Sequence, residues 1–178
     1  MSLPQERLAA GARRIGIGDF GLGGRGESFR VTLGSCVGLC LLWPKEGRFA
    51  VAHVLLPESQ VGAGGKRSRC GDTVVPFLLE ALELEGSPRS LIALVAGGGI
   101  MYRGVSGADP VGVANQRAVK EGLRRARIRI SGEDLGGEHP RQLIVDGPSA
   151  RLLSLDLEEE ENSVTWDFPP HFEDRRAA

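Results

Sequence analysis

Residues 29–57, "FRVTLGSCVGLCLLWPKEGRFAVAHVLLP", contain two apolar runs joined by a short polar connection. The first run, 29–43, is rich in β-branched and aliphatic residues and ends before Pro44, which lacks the N–H that a sheet ladder requires. The second run ends before Pro57. Because "KEG" between them has the length of a hairpin turn, we predict two neighbouring antiparallel strands.

The flanking segments predict further strands and two helices. "RRIGIGDF" predicts a short strand that the glycine-rich "GLGGRGES" interrupts. Asp72 is a candidate N-cap for a helix through "TVVPFLLEALELEG" that ends at Gly86, and "PVGVANQRAVKEGLRRAR" has the period of an amphipathic helix. "SLIALVAGGG", "IRIS", "RQLIVD" and "RLLSL" predict four more strands, the last two joined by the turn "GPSA".

This mixture of hairpins and two helices predicts an α+β fold, a layered α/β sandwich with a mixed, largely antiparallel sheet. Residues 12–156 are expected to form a single domain, preceded by an N-terminal arm at 1–11. From residue 157 onward, the acidic run and the paired prolines predict a flexible C-terminal tail, 157–178.

Composition narrows the classes of function. Of the 178 residues, 41% are hydrophobic and 25% are charged, as in ordinary globular domains. A formal net charge of −1 gives no reason to expect a nucleic-acid partner. The N-terminal "MSLPQERLAAGARR" has no run of seven apolar residues, as a secretory signal core requires, and no apolar run in the chain has the length of a membrane helix. The three cysteines, an odd number, favour free thiols in a reducing cytoplasm.

The cysteines and a histidine raise the question of a metal site. Cys36, Cys40, Cys70 and His53 would supply a Cys3His set for zinc. If 29–43 is one strand, however, Cys36 and Cys40 are about 13 Å apart along it, whereas thiolates on one zinc ion lie within roughly 4 Å of each other. We therefore predict no metal site at these residues, and the thiol chemistry considered next requires no organic cofactor.

Cys36 lies between Gly34 and Gly38, in a pattern similar to the nucleophile elbow of α/β-hydrolases. That elbow requires a helix after the nucleophile, whereas strand-like residues follow here. A lone buried cysteine usually only packs, and a lone histidine among apolar residues is usually a hydrogen-bonded core residue. The functional alternative is a nucleophile–base pair of Cys36 and His53 on the two predicted strands, because an imidazole can activate a thiol.

Other polar or glycine-rich positions have simpler interpretations. The glycines 97–99 of "AGGGIM" could donate N–H groups to an anion, but a tight turn is favoured. The basic run at the end of the second helix favours a solvated face that complements the helix dipole. "EDLGG", 133–137, favours a polar turn over acid–base chemistry, and we expect no catalytic role for His139 or His171.

Six segments of the chain, taken in order, resemble a known family. They are "LGSCVGLCL", "AVAHVLLPES", "GDTVVPFLLEAL", "AGGGIMY", "SGEDLGGEHPRQLIVD" and the strand that follows. Their order, with His-Val-Leu-Leu-Pro 17 residues after the cysteine of Gly-Ser-Cys, resembles the chemoreceptor glutamine deamidase CheD family from about residue 15 to residue 155.

The resemblance implies a cysteine hydrolase that converts glutamines of methyl-accepting chemotaxis receptors to glutamate through a thioester. It also implies a fold similar to the catalytic domains of glutamine-deamidating toxins. Carried over by position, Cys36 matches the nucleophile, His53 the general base and Thr32 a threonine that supports the histidine. The family's threonine is expected five or six residues before the cysteine, where Val31 and Arg30 stand in this chain.

The resemblance further implies partners. The receptors would be the substrate, and a CheC-type phosphatase would bind as well; no nucleic acid and no insertion into a membrane are expected. A second hypothesis therefore belongs to another class: a non-catalytic or weakly catalytic adaptor that binds and stimulates the phosphatase.

Overall fold

The computed structural model describes residues 11–60, 65–101, 110–147 and 151–168. These residues form two five-stranded sheets and two α-helices, and no helix among them is long and apolar enough to cross a membrane. The strands are β1 (Arg13–Arg14), β2 (Phe20–Gly24), β3 (Ser28–Leu33), β4 (Val37–Trp43), β5 (Arg48–Val54), β6 (Ile92–Gly97), β7 (Arg129–Leu135), β8 (Arg141–Asp146), β9 (Arg151–Asp156) and β10 (Val164–Asp167). The helices are α1 (Gly71–Ala81) and α2 (Val111–Ala126).

The two sheets differ in composition but share a largely antiparallel pattern. Sheet A has the order β1-β3-β8-β9-β10, and sheet B has the order β2-β5-β4-β6-β7. Only the β1–β3 and β6–β7 pairs are parallel among these strands. The predicted α+β sandwich with mixed, largely antiparallel sheets and two main helices is confirmed, and the likeness to toxin domains stays a prediction.

The molecule is layered as helices, sheet B and sheet A. Alternate residues of a strand face opposite sides of its sheet, so β4 contributes to two cores. Cys40 and Leu42 pack between the sheets, while Leu39 and Leu41 pack under the two helices. The predicted β4–β5 hairpin is present, with Gly47 in the left-handed conformation (φ 61°) after the turn.

The first long apolar run is not the single strand that its composition predicts. β3 ends at Leu33 in sheet A, where it pairs with β8, and β4 begins at Val37 in sheet B, where it pairs with β5 and β6. Residues 34–36 therefore cross from one sheet to the other. Cys36 lies at the end of this crossing, directly before β4, and not in the middle of a strand.

The glycine-rich segment that was expected to interrupt a strand is itself a strand. β2 pairs with β5 along its whole length. A Cβ at Gly21 would lie 2.7 Å from Phe29 Cε1, and one at Gly23 would lie 2.6 Å from Phe29 Cε2 and 2.8 Å from Phe49 Cζ. The glycines are therefore required by the aromatic rings packed against β2, and they do not mark a turn.

The first helix differs from its predicted bounds, whereas the second agrees. Cys70 is the N-cap of α1, so the predicted N-cap Asp72 lies inside the first turn, where its carboxylate accepts from the N–H and hydroxyl of Ser59. The helix ends at Ala81, well before Gly86, because Glu83 takes a left-handed conformation with φ 52°. α2 buries one face of the predicted amphipathic segment.

Two polar segments are more ordered in structure than predicted. β7 runs through Leu135, so only Gly136 and Gly137 of "EDLGG" form the turn, both with positive φ. β10 pairs with β9, and Phe168 is buried with its ring 6.1 Å from that of Phe49, so the predicted flexible tail is wrong for residues 164–168. Three predicted features fall outside the described residues. They are the N-terminal arm at residues 1–10, the "PSA" of the predicted turn, and residues 169–178 with His171.

Candidate functional site

Sheet B brings Cys36 and His53 to neighbouring positions on one face. In the β4–β5 ladder, Gly38 lies directly opposite His53 and Val37 opposite Val54. Cys36 precedes Gly38 by two residues and packs in the core between the sheets, as does Val51, which precedes His53 by two. Because side chains alternate along a strand, the thiol and the imidazole both point toward sheet A.

Both side chains are buried, and burial sets their protonation. Cys36 is 8% exposed and His53 is 4% exposed. Burial raises the pKa of the Cys36 thiol above its ordinary value of 9.0. Burial is the largest effect on the pKa of His53 and lowers it below 6.5. A backbone hydrogen bond at Ile15 opposes this shift, the positive charge of Arg14 adds to it, and the charge of Asp19 and a backbone hydrogen bond at Gly16 oppose it more weakly. At neutral pH Cys36 is therefore a thiol and His53 a neutral imidazole.

The loop that carries Cys36 is held by the glycine turn after β6. The N–H of Gly98 donates to the carbonyl of Cys36 at 2.7 Å, and the N–H of Gly99 donates to the carbonyl of Gly34 at 2.8 Å. These glycines form the turn that the sequence favours. Since both N–H groups are already hydrogen bonded, they hold residues 34–36 in place and are not free to bind an anion.

Asn115 of α2 is a site residue that the sequence analysis did not select. It is fully buried, and its Nδ2 donates to the carbonyls of Ser35 and Leu55, both at 3.0 Å. Two carbonyl acceptors fix the orientation of the amide, because only its NH2 side can donate. One side chain thus ties the residue before Cys36 to the segment after His53. In the sequence, Asn115 is recognisable as a polar residue on the apolar face of an amphipathic helix, where a buried polar group requires hydrogen-bond partners.

Thr32, the candidate third residue, is not brought to the pair. It is exposed and lies on the opposite face of β3 from Val31 and Leu33, which are both fully buried. Its hydroxyl lies 3.5 Å from Nε2 of Gln142, on the neighbouring strand. No described residue forms a hydrogen bond with the buried Nδ1 of His53.

The remaining cysteines and His139 lie in other environments. Cys40 is fully buried, and Cys70 caps α1 and pairs with Leu56 in an isolated parallel bridge. His139 Nδ1 lies 3.3 Å from a carboxylate oxygen of Asp156, at the end of sheet A. Within the described ranges, no group of three His, Cys, Asp or Glu side chains could hold a metal ion.

Comparison with known proteins decides the family. Residues 55–154 match the family model described as "CheD chemotactic sensory transduction", which is more than half of the chain. The chain belongs to the CheD family. The match to the family model begins two residues after His53, so Cys36 and His53 lie outside the matched region.

Individual CheD relatives match over a longer stretch. The chain is 35% identical over 133 residues to a "Probable chemoreceptor glutamine deamidase CheD" of Methanococcus vannielii, covering 74% of this chain and 86% of that protein. Proteins of the same name from Symbiobacterium thermophilum and Archaeoglobus fulgidus are each 37% identical, over 147 and 142 residues. Both alignments cover 78% of this chain, and they cover 88% and 89% of the two relatives respectively.

Proposed function

We propose that this chain is a cysteine hydrolase that deamidates glutamine side chains of chemoreceptors in the cytoplasm. The observation that carries the proposal is a thiol and an imidazole that face the same inter-sheet core, with Cys36 two residues from the glycine opposite His53, in a chain whose relatives are named probable chemoreceptor glutamine deamidases. A carboxamide is a poor electrophile, and its hydrolysis requires a strong nucleophile, an oxyanion site and a proton for the leaving ammonia.

The first half of the reaction forms a thioester. The neutral imidazole of His53 accepts the Cys36 proton as the sulfur attacks the carboxamide carbon, since burial disfavours a thiolate before substrate arrives. The carbonyl π electrons move to the oxygen, giving a tetrahedral oxyanion. When the oxyanion collapses, the C–N bond breaks, and the imidazolium returns the proton to the nitrogen, which leaves as ammonia.

The second half regenerates the enzyme. His53, neutral again, takes a proton from a water molecule as the water oxygen attacks the thioester carbon. The C–S bond then breaks, the imidazolium protonates the departing sulfur, and glutamate and the Cys36 thiol remain. The reaction involves no change of oxidation state, and every proton is transferred between the thiol, the imidazole, water and the leaving ammonia.

The backbone N–H of Cys36 is our candidate for the oxyanion donor. It donates no hydrogen bond within the described residues, whereas the nearby N–H groups of Gly98 and Gly99 are occupied. A preorganised donor of this kind typically contributes about 3 kcal/mol of transition-state stabilisation. The 8% exposure of Cys36 suits a slender carboxamide arm better than a bulky group.

The test uses the purified chain and the cytoplasmic fragment of a chemoreceptor. We expect mass spectrometry of receptor peptides to show replacement of an amide NH2 by OH, with release of ammonia. Cys36→Ala should abolish both. Cys40→Ala is the matched control, because it makes the same change on the same face of β4 at a fully buried thiol. Deamidation by Cys36→Ala at the wild-type rate would refute the thioester mechanism.

The adaptor role is the alternative, because buried Cys36 and His53 side chains are also what a chain without a catalytic site would have. In that case a CheC-type phosphatase would bind this chain and be stimulated by it, while receptor peptides would keep their mass. Adding the phosphatase to the same incubation separates the two roles. Stimulation that persists in Cys36→Ala, with no deamidation by the wild type, would favour the adaptor.

A further inference from the structure

A turn at residues 16–19 is hydrogen bonded to the backbone of His53. The N–H of Gly18 donates to the carbonyl of His53 at 2.9 Å, and the N–H of His53 donates to the carbonyl of Asp19 at 3.0 Å. The hydroxyl of Ser68 donates to the carbonyl of Gly18 at 2.6 Å, which joins this turn to a second segment, residues 66–69. Any molecule that approaches His53 from this side meets both segments.

These two segments and the strand before them concentrate positive charge. We call them the basic rim, which carries five cationic side chains: Arg13, Arg14, Lys66, Arg67 and Arg69. Two carboxylates oppose them, Asp19 paired with Lys66 and Glu80 paired with Arg67. Since the whole chain has a net charge of −1, this local excess of positive charge is not a general property of the surface.

Within the part of the chain that the structure describes, carboxylates pair with only some of the rim cations. The guanidinium groups of Arg14 and Arg69 form no ion pair with any described residue, and both residues are exposed. Arg13 is engaged differently, with its guanidinium 4.5 Å from the centre of the Phe29 ring. Arg14 and Arg69 are therefore available to a carboxylate supplied by a partner.

Apolar side chains accompany the charges. Ile17 is 63% exposed and Phe20 is 39% exposed, on the turn and on the first residue of β2. A cavity of about 450 Å³ opens beside them, and its lining includes Phe20, Phe77 and four of the cations, Arg13, Arg14, Lys66 and Arg67. A surface that combines exposed aliphatic and aromatic groups with unpaired guanidinium groups matches a polypeptide that carries both apolar and acidic side chains.

We infer that the basic rim docks an acidic, amphipathic segment of the protein substrate next to the glutamine that is deamidated. This inference rests on the proposed function, because it assigns the substrate's chemistry at that same site. Carboxylates of the segment pair with Arg14 and Arg69, and an apolar side chain covers Ile17. Glutamines flanked by acidic residues are then preferred over glutamines flanked by basic ones.

Binding is measured on the full-length Cys36→Ala chain, so that the result does not depend on turnover. The probes are a receptor cytoplasmic fragment and two synthetic glutamine peptides, one with glutamates and one with lysines around the glutamine. We expect Arg14→Glu with Arg69→Glu to weaken binding of the fragment and the acidic peptide about tenfold at low salt. Arg89→Glu, an exposed arginine outside the rim, is the control and should have no effect.

The outcomes separate this inference from the proposed chemistry. Rim-dependent binding without deamidation by the wild-type chain would support the docking surface and refute the hydrolase. The inference would be overturned if the affinity were the same with and without the two substitutions Arg14→Glu and Arg69→Glu. It would also be overturned if the acidic and the lysine peptides bound equally well. A rim that binds anionic phospholipid vesicles while peptide binding is unaffected by the two substitutions would overturn it too, because the surface would then recognise a membrane.

Discussion

Gly38 lies directly opposite His53 in the β4–β5 ladder, and the space that a side chain would take at Gly38 is filled from the other sheet. A Cβ at Gly38 would lie 2.8 Å from Leu143 Cδ2 and 2.9 Å from Leu33 Cδ1. The two sheets therefore pack tightly against each other at the residue opposite His53.

Replacing Gly38 by alanine should push the sheets apart at the site. The added methyl group overpacks against Leu33 and Leu143, which typically costs about 1–3 kcal/mol of unfolding free energy. We expect urea denaturation to show this loss and deamidation per folded molecule to fall. Gly26→Ala is the control, since nothing lies within 4 Å of a Cβ there. Equal stability of the two variants would contradict the contact.

Replacing Asn115 by alanine should lower the rate of deamidation by more than the loss of stability explains. Asn115→Ala leaves the carbonyls of Ser35 and Leu55 without their donor, at a cost of about 1–3 kcal/mol each if they stay buried. Because these carbonyls flank Cys36 and His53, the proposed nucleophile and base, we expect kcat to fall about 10- to 100-fold with KM little changed.

Val119→Ala is the matched control for Asn115→Ala. Val119 lies one turn further along the same buried face of α2 and packs in the core beneath the helices. Its truncation should lower stability without lowering kcat per folded molecule. If both variants lose activity only in proportion to the unfolded fraction, Asn115 is structural and does not position the pair.

Gly97 and Gly86 offer a test of the glycine turn. Both have positive φ, 90° and 103°, so alanine is strained at either position by a comparable amount, on the order of 1–2 kcal/mol. At Gly97, however, a Cβ would lie 2.5 Å from the carbonyl oxygen of Cys36, whereas nothing lies within 4 Å at Gly86. We expect Gly97→Ala to lose activity and more stability than Gly86→Ala. Comparable activity in the two variants would show that the turn does not hold Cys36.

The β4–β5 hairpin was accessible from sequence because its signals are local. Two apolar runs, a short turn and the prolines that end each run define β4 and β5, and the alternation places His53. The break between β3 and β4 was not accessible in this way. Both halves of 29–43 are apolar, and periodicity does not reveal that Leu33 pairs in one sheet and Val37 in the other.

The segments that were missed depend on distant contacts. The glycines of β2 are typical of a loop when only the local sequence is considered. They are required because the rings of Phe29 and Phe49, on other strands, pack against β2 and leave no room for a Cβ. β10 lies beyond an acidic run that is typical of a mobile tail, yet it is ordered by pairing with β9 and by the burial of Phe168. Tertiary packing overrides local composition in both cases.

Phe168 provides a direct test of the C-terminal strand. It is 6% exposed and packs in the inter-sheet core against Phe49. Phe168→Ala should therefore lower the unfolding free energy by about 3–5 kcal/mol, as for other buried phenylalanines. Leu157→Ala, at a residue that is 48% exposed, should change it by less than about 0.5 kcal/mol. If the C-terminal segment were a mobile tail, neither substitution would change the free energy of unfolding.

The protonation of His53 can be measured without any substrate. The chain has three histidines, so NMR titration of their ring protons is tractable, with His139→Gln and His171→Gln to assign the signals. We expect the pKa of His53 to lie below 6.5 because burial disfavours the imidazolium. Arg14→Gln removes the positive charge that also lowers it, so the pKa of His53 should rise in that variant. A pKa of His53 at or above 6.5 in the wild type would contradict the buried, neutral base.

The same shift fixes the sign of an effect on stability. Below pH 6.5 the unfolded chain protonates His53 while the folded chain still holds it neutral, so unfolding takes up a proton. His53 therefore makes stability fall as pH drops from 6.5 to the lower folded pKa, with no contribution above that window. Urea midpoints of the wild type and His53→Gln across this range should show a steeper decline in the wild type. Parallel curves would mean that the imidazole keeps its ordinary pKa in the folded protein.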